Sequence, residues 1–469
     1  MLAENAFDRI EIWEQRDRVG GIWNLSPPDR SKRIPIPQTD PRYGQKARVN
    51  SGGGNALDDS LEFESPLYDY LETNIPKELM AYAEKPFAAD DPLFPPHDRV
   101  LEYLEEYSND VKQLITFNHQ VQDLKLDETS APGQDVWRME TVSLQTRQIS
   151  VHHYDAVVVA NGHYTVPSVP EIDGLEAWNK DYPGAVIHSK AYRKPEEYTG
   201  KKVLVIGNAA SGLDIAYQVS EYSQQPVVLS SRSASIFATG KPPPWRKDVL
   251  QSVEFLPSSS YDRAVKFEDG HIEEGIDQVI FCTGYYYSIP FVRDFKPLLI
   301  TDGLRIQDVY RDLFYIHHPS LVLPVINLRV IPFPLAENQA AVVARIWSGR
   351  LSLPSQEDMR KWEKDKIASN GNGKHFHLKK FPEDCAQINE LHRWALAACT
   401  DHRLENDGQG KLGRGYDEKA VWLRSQFPAV KAAYLSKGKD RRKIKRVEDL
   451  GFDFVRRDED REMYAAAEC

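Results

Sequence analysis

Lys201 to Ala216 reads KKVLVIGNAASGLDIA, residue types and a spacing that suit a phosphate ester. Val203–Ile206 is a buried-strand run, and Gly207 can adopt the backbone angles of a tight turn. Ser211 and Gly212 open a helix whose Leu213, Ala216 and Val219 keep helical spacing. Free N–H groups and the dipole at such a helix start favour a pyrophosphate. The usual pattern is GxGxxG, and Ala209 stands in place of the middle glycine. The next strand, Pro226–Leu229, ends in Ser230, Ser231 and Arg232. An NAD site carries an acid there for the ribose hydroxyl. Two hydroxyls and a guanidinium suit a 2′-phosphate instead, so NADP(H) is expected over NAD(H). A strand–turn–helix with no ligand and an ordinary surface arginine are the plain alternatives.

A second candidate stretch is EIWEQRDRVGGIWN, Glu11 to Asn24. Its strand ends in Glu14, an acid of the kind that binds a ribose about 20 residues after the first glycine of a phosphate loop. Only 13 residues precede Glu14 and none is a glycine, so the first βα unit of that fold is expected to be missing. Met1 to Phe7 reads as the end of its helix. Glu14 as a mere strand-end acid is the alternative. Paired Gly20 and Gly21 beside Ile22 and Trp23 favour close approach of backbone to a large flat cofactor.

The elements that must hold these residues show one internal repetition. Asp155 begins DAVVVANGHY and Asp277 begins DQVIFCTGYY. The expectation is an insertion, in which these two strands of one outer sheet bracket a second domain and the chain crosses at Asn161-Gly162 and Thr283-Gly284. The expected layout is 1–165 and 283–350 for the outer domain, 166–282 for the inserted one, and 351–469 for a helical extension. Strands are expected over Arg9–Trp13, Val136–Val142 and Ile149–Val159, and helices over Leu67–Ala83, Asp98–Tyr107 and Leu335–Ser348. Asp29–Asp58 reads as loop. From Gln356 onward charged helical segments read as surface helices, interrupted by a flexible Ser369–Gly373.

The 469 residues suffice for two or three domains at roughly 150 each. A net charge of −11 argues against a general nucleic-acid binder. The basic run KGKDRRKIKR, Lys437 to Arg446, reads as a solvated helix face or tail. Cys282, Cys385, Cys399 and Cys469 form no CxxC pair, against a redox dithiol or a zinc ribbon, and no metal is expected. With no disulfide framework, no long apolar stretch and no signal peptide, the cytoplasm is the expected compartment.

The segment YPGAVIHSKAY, Tyr182 to Tyr192, resembles the FxGxxxHxxxY fingerprint of the flavin-containing monooxygenases, the dimethylaniline-monooxygenase-like class that uses FAD and NADPH. Tyr182 replaces the Phe, and Tyr192 stands where the Baeyer–Villiger branch has Trp. The resemblance extends to EQRDRVGGIWN, to TNIPKE at Thr73–Glu78, to both strand–glycine crossings and to VIPFPLAENQA at Val330–Ala340, roughly residues 1–350. It implies an α/β fold of two Rossmann-like dinucleotide-binding domains, the NADP domain inserted in the FAD domain, with a C-terminal helical extension. It implies that Glu14 binds the FAD ribose and that Gly20, Gly21, Ile22 and Trp23 line the flavin. Thr73 and Asn74 would lie near the flavin ring and the nicotinamide, with Asn74 helping to hold the oxygenated flavin. Ser211, Gly212, Leu213 and Asp214 would hold NADP, with Arg232 on its 2′-phosphate, and Gln339 would lie near the flavin. His188 would link the domains rather than catalyse.

The implied reaction is oxygenation of a soft nitrogen or sulfur of a small molecule by O2, through a C4a-hydroperoxide of the reduced flavin. A Baeyer–Villiger or N-hydroxylating activity, or a non-catalytic remnant that retains NADP binding, are the other readings. The family's first GxGxxG is absent from this chain. The loss removes charge-assisted hydrogen bonds of roughly 1.5–3 kcal/mol each, so weak FAD binding and a poorly folded outer domain are expected.

Overall fold

The computed structural model describes residues 1–26, 34–44, 63–127, 135–233, 235, 241–292, 295–456 and 460–468. The protein has an α/β fold of two nucleotide-binding parts and a helical C-terminal extension. In the outer part β1 (Ile12–Trp13) lies parallel to β2 (Ile115–Thr116). An antiparallel meander follows, of β3 (His119–Leu126), β4 (Trp137–Ser143) and β5 (Ile149–Tyr154). Trp137 and Met139 alternate inward from β4 and anchor one apolar cluster, as half-buried strands do. β6 (Val157–Val158) then leads to the first crossing, and β7 (Val166–Pro167) begins the inserted part.

The inserted sheet has the order β11-β10-β9-β15-β8, all parallel. Its strands are β8 (Val186–His188), β9 (Val203–Ile206), β10 (Val227–Ser230), β11 (Arg246–Val249) and β15 (Gln278–Phe281). Every residue of β9, β10 and β15 is buried, which is why their sequences are unbroken apolar runs rather than alternating ones. A small antiparallel sheet, β12 (Ser252–Phe255), β13 (Val265–Phe267) and β14 (Ile272–Glu273), caps one side. The expectation that the Asp277 strand returns to the outer sheet is corrected here. β15 lies between β9 and β8, because its buried Val279–Phe281 face completes the inserted core. The return comes one step later: β16 (Tyr285–Tyr286) runs antiparallel to β7, so outgoing and incoming chain form one two-stranded link.

Back in the outer part, β17 (Val309–Tyr310), β18 (Phe314–Tyr315) and β19 (Leu321–Val322) follow, and β19 pairs β6 in parallel. Nine α-helices are described: α1 (Lys77–Met80), α2 (His97–Tyr107), α3 (Leu175–Asp181), α4 (Ala210–Ser220), α5 (Pro332–Trp347), α6 (Gln356–Asn370), α7 (Glu383–Leu396), α8 (Glu418–Leu435) and α9 (Arg461–Glu468). The expected helix over Leu67–Ala83 is confined to α1. Pro76 is its N-cap, and Tyr68–Ile75 runs as turns and extended chain because a residue before proline avoids helical angles. Met1–Phe7 holds a 3₁₀ turn, Leu2–Glu4, whose buried Glu4 receives Arg350 Nε at 2.8 Å and Nη2 at 2.9 Å. Most of the expected Asp29–Asp58 loop lies outside the described residues.

The C-terminal extension is more than a set of surface helices. Ile388, Leu391, Val421, Val430 and Tyr434 share one apolar cluster with Leu79, Phe94, Phe314 and Val342. Asp312, fully buried, further ties the extension to the outer part: it accepts from Asn327 Nδ2 and His377 Nδ1 at 2.8 Å each, and from Lys366 Nζ. The stretch read as flexible is also tied, because Arg305 Nε donates to Asn372 Oδ1 at 2.7 Å. Among the described residues no helix is long and apolar enough to cross a membrane.

Candidate functional site

Several of the residues singled out by type lie at the carboxyl ends of parallel strands, where open α/β sheets bind ligands. Glu14 follows β1, Gly207 follows β9, Ser231 and Arg232 follow β10, and Val325 lies just beyond β19.

The Gly207 turn is built around backbone contact. Gly207 has φ 111°, and a Cβ there would lie 2.4 Å from the Cys282 carbonyl oxygen. A Cβ on Gly212 would lie 1.8 Å from the Gly207 carbonyl oxygen. Only glycine permits the start of α4 to sit this close to the strand end. The N-cap of α4 is Ala209, which offers no side-chain cap, so the first N–H groups of the helix are left for a ligand. Ser211 is exposed at this start. Leu213 N already closes the first helical bond to Ala209 O at 3.1 Å. The Asp214 carboxylate turns away toward Tyr68 Oη and Gln218 Nε2, and burial pushes its pKa up.

Of the three residues ending β10, Ser230 is fully buried and engaged. Its hydroxyl donates to Leu250 O and accepts from Ser252 N and Oγ, all at 2.9 Å. Ser231 Oγ donates to Ser233 O at 3.2 Å. Arg232 is exposed and has no acidic partner among the described residues. Lys374, which sequence reasoning missed, feels the charge of both Arg232 and Arg329. Burial pushes the Lys374 ammonium down, and the nearby charges of Arg232 and Arg329 push it further. Lys374 Nζ donates to the Thr283 carbonyl at 3.2 Å, at the second crossing. Nothing in the sequence around Lys374 or Arg329 signals this, since both come from segments far from residue 232.

At the outer site Glu14 Oε1 accepts from Arg16 N at 2.7 Å, and its second oxygen is bonded by nothing among the described residues. Gly20 has φ 99°, and a Cβ there would meet Leu101 at 2.3 Å. Gly21 has φ 50° and open space where its Cβ would be. Ile22 and Trp23 complete a 3₁₀ turn, closed by Asn24 Nδ2 on the carbonyls of Val19 and Gly21. Trp23 leans on the Met80–Phe87–Tyr103 cluster. Gln339 is fully buried; its Oε1 accepts from Val325 N at 2.8 Å, while its Nε2 has no partner among the described residues. His163, just past the first crossing, likewise buries an unpartnered Nε2, and burial lowers its pKa to about 4. A buried amide donor left without a partner can serve a bound acceptor. Among the described residues β1 pairs with β2 alone, and no second glycine-cornered strand–turn–helix accompanies it.

Thr73 and Asn74 occupy the turn before α1. Thr73 is buried, with N on Pro95 O at 2.9 Å and Oγ1 on Ile75 O at 3.0 Å. The Asn74 amide makes no hydrogen bond among the described residues. His188, buried, bonds Gly284 O through Nε2 at 3.0 Å and accepts from Lys190 N through Nδ1 at 3.1 Å. Burial lowers its pKa to about 3, so it is a neutral strut between β8 and the second crossing. The reading of Lys437–Arg446 as a solvated tail is corrected at two positions: Arg441 and Arg442 both pair with buried Glu72.

Comparison with known proteins agrees with this architecture. The family described as FMO-like, flavin-binding monooxygenase-like, matches residues 51–242 and 253–388. Flavin-containing monooxygenase FMO GS-OX-like 2 of Arabidopsis thaliana is 32% identical over 412 residues, covering 84% of this chain and 81% of that protein. Flavin-containing monooxygenase ustF2 of Aspergillus flavus is 28% identical over 337 residues, covering 66% and 68%. The fold matches that of S-allyl-L-cysteine S-oxygenase from Allium sativum with a TM-score of 0.70 at 24% identity, over 97% of this chain and 93% of that one.

Proposed function

The chain belongs to the flavin-binding monooxygenase-like family of FAD- and NADPH-dependent enzymes, and we propose that it oxygenates a soft nucleophilic nitrogen or sulfur of a small molecule with NADPH and dioxygen. When bound, FAD supplies the hydride acceptance and the activation of dioxygen at its C4a position. The protein's own part is to bind, orient and shield. The α4 start beyond Gly207 and Gly212 takes the NADP pyrophosphate, and Ser211 lies at its mouth. Arg232, with Lys374 near it, would take the 2′-phosphate with a pair of cations that a ribose hydroxyl would not need. Glu14 would accept from the FAD ribose through the oxygen left unbonded among the described residues, Gly20–Trp23 would line the flavin, and Gln339 Nε2 would donate to it.

The observation that carries the reading is Asn74. Among the described residues its amide is left unbonded, on a loop whose neighbours are bonded. An amide can donate a hydrogen bond to an activated oxygen without delivering the proton that a carboxylic acid would. Thioethers, tertiary amines and ketones, offered with NADPH and excess FAD, test it. Sulfoxide or N-oxide with untouched ketones supports the reading, and lactone or ester would move it to the Baeyer–Villiger branch.

A second reading is an NADP-binding chain without oxygenation. It is favoured by the Gly207–Gly212 turn, whose uncapped helix start suits a nucleotide phosphate independently of any flavin. Flavin content separates the two. Stoichiometric yellow protein after gel filtration rules the second out, while retained NADPH binding without flavin supports it.

A further inference from the structure

The C-terminal extension grips the chain on both sides of Thr73. Glu72, 4% exposed, receives Arg441 Nε on one carboxylate oxygen at 2.9 Å and Arg442 Nε on the other at 2.8 Å. Lys431 Nζ, from α8, donates to the Thr73 carbonyl at 2.7 Å and lies 4.3 Å from the Phe94 ring centre. Ile444 O accepts from Leu93 N at 2.9 Å, and Leu93 O accepts from Lys77 N at 2.9 Å, so the far side of the Asn74 turn is closed as well. The other flank of the same segment rests on the nucleotide helix. Tyr68 Oη donates to Asp214, and Gln218 Nε2 reaches Tyr70 O at 3.3 Å. Asn74 thus hangs from backbone held between α4 and three cations of the extension.

We propose that Glu72, Lys431, Arg441 and Arg442 are positioning residues for oxygenation, and that the C-terminal extension sets how the Asn74 amide is presented. This rests on the reading of Asn74 given above. A buried carboxylate with two guanidiniums has a fixed direction, unlike an exposed ion pair, and it sits two residues from the amide it orients. An ammonium on the Thr73 carbonyl fixes the peptide plane next to Asn74 itself. The consequence is functional rather than global. Loosening this clamp frees the amide, and reducing equivalents leave as hydrogen peroxide instead of oxygenated product.

The test uses the full chain and two readouts. In flavin-free protein, amide hydrogen exchange over residues 72–75 is expected to speed up about tenfold in Glu72→Gln and Lys431→Met, while α4 exchange stays unchanged. With excess FAD and NADPH, the same variants are expected to turn several-fold less of the NADPH into product and the remainder into peroxide. Lys431→Arg, which keeps a charged donor, restores both. Arg442→Gln is the fallback where a buried substitution fails to fold, because that side chain is 51% exposed. Lys439→Gln, exposed in the same basic run, controls for net charge. Unchanged exchange in Glu72→Gln overturns the proposal, as does an equal effect from Lys439→Gln. If Asn74→Ala stays fully coupled while Glu72→Gln loosens the loop, the role given to Asn74 fails but the clamp on the loop stands. If Asn74→Ala uncouples and Glu72→Gln does not, the clamp fails alone.

Discussion

Gly212→Ala separates two opposing effects of one methyl group. By helix propensity alone, alanine in place of glycine stabilises a helix by about 1 kcal/mol. Here the new Cβ would lie 1.8 Å from the Gly207 carbonyl oxygen and 2.8 Å from its carbon, both main-chain atoms that no rotamer change can move. Ordinary contact needs about 3.5 Å, so the start of α4 must retreat by roughly 1.5 Å. Gly207 cannot give way, because its N–H bonds Ser230 O at 2.9 Å and its own Cα faces the Cys282 carbonyl. A clash with main-chain atoms falls at the upper end of the roughly 1–3 kcal/mol cost of overpacking, so a net loss of about 1–2 kcal/mol remains and the melting temperature should fall by a few degrees. Nucleotide binding suffers more. Moving helix N–H donors by ~1.5 Å takes them out of hydrogen-bond range of a pyrophosphate, and the loss of one charge-assisted bond of about 1.5–3 kcal/mol lowers NADPH affinity roughly ten- to 150-fold. NADPH fluorescence titration and a thermal melt read the two effects, with Glu221→Ala, exposed at the far end of α4, as a control that stays within a few-fold of the parent. A Gly212→Ala protein that binds NADPH unchanged and melts higher would refute the close-approach argument.

Arg232→Ala is expected to weaken NADPH by about ten- to a hundred-fold and leave NADH unchanged in paired titrations, as the loss of a guanidinium–phosphate contact predicts. Asp312→Ala strands Lys366 and His377 as buried groups without their acceptor, and chemical denaturation should show a loss of about 3–5 kcal/mol. Burial holds His188 near a pKa of about 3 and His163 near about 4, below the ~6.5 of an unfolded chain, so below that value the unfolded state binds more protons. Stability should therefore fall as pH drops from about 6.5 toward 3, and His188→Gln should flatten that slope in denaturation curves.

The inserted sheet was legible because parallel buried strands are written as unbroken apolar runs, and Gly207 and Gly212 mark contacts that no other residue permits. The swap of β15 was not legible. DAVVVANGHY and DQVIFCTGYY are equivalent as strands, and only lateral pairing decides which sheet each joins. Ser230, Ser231 and Arg232 read alike in one dimension, yet the buried Ser230 hydroxyl is consumed by Leu250 and Ser252, while Arg232 has no acidic partner among the described residues. The extension was misread for a related reason. Lys437–Arg446 is charged enough for solvent, and nothing local says that Glu72, more than 350 residues earlier, waits for two of its arginines. The same separation hid Lys374 beside Arg232.

Turnover of a thioether under ¹⁸O₂, with NADPH and excess FAD, tests the central claim most directly. The account predicts a sulfoxide carrying one labelled oxygen, with NADPH consumed in step, and Asn74→Ala diverting that consumption to labelled peroxide. Unlabelled sulfoxide, or NADPH consumption that never yields an oxygenated product from a thioether or an amine, would contradict it.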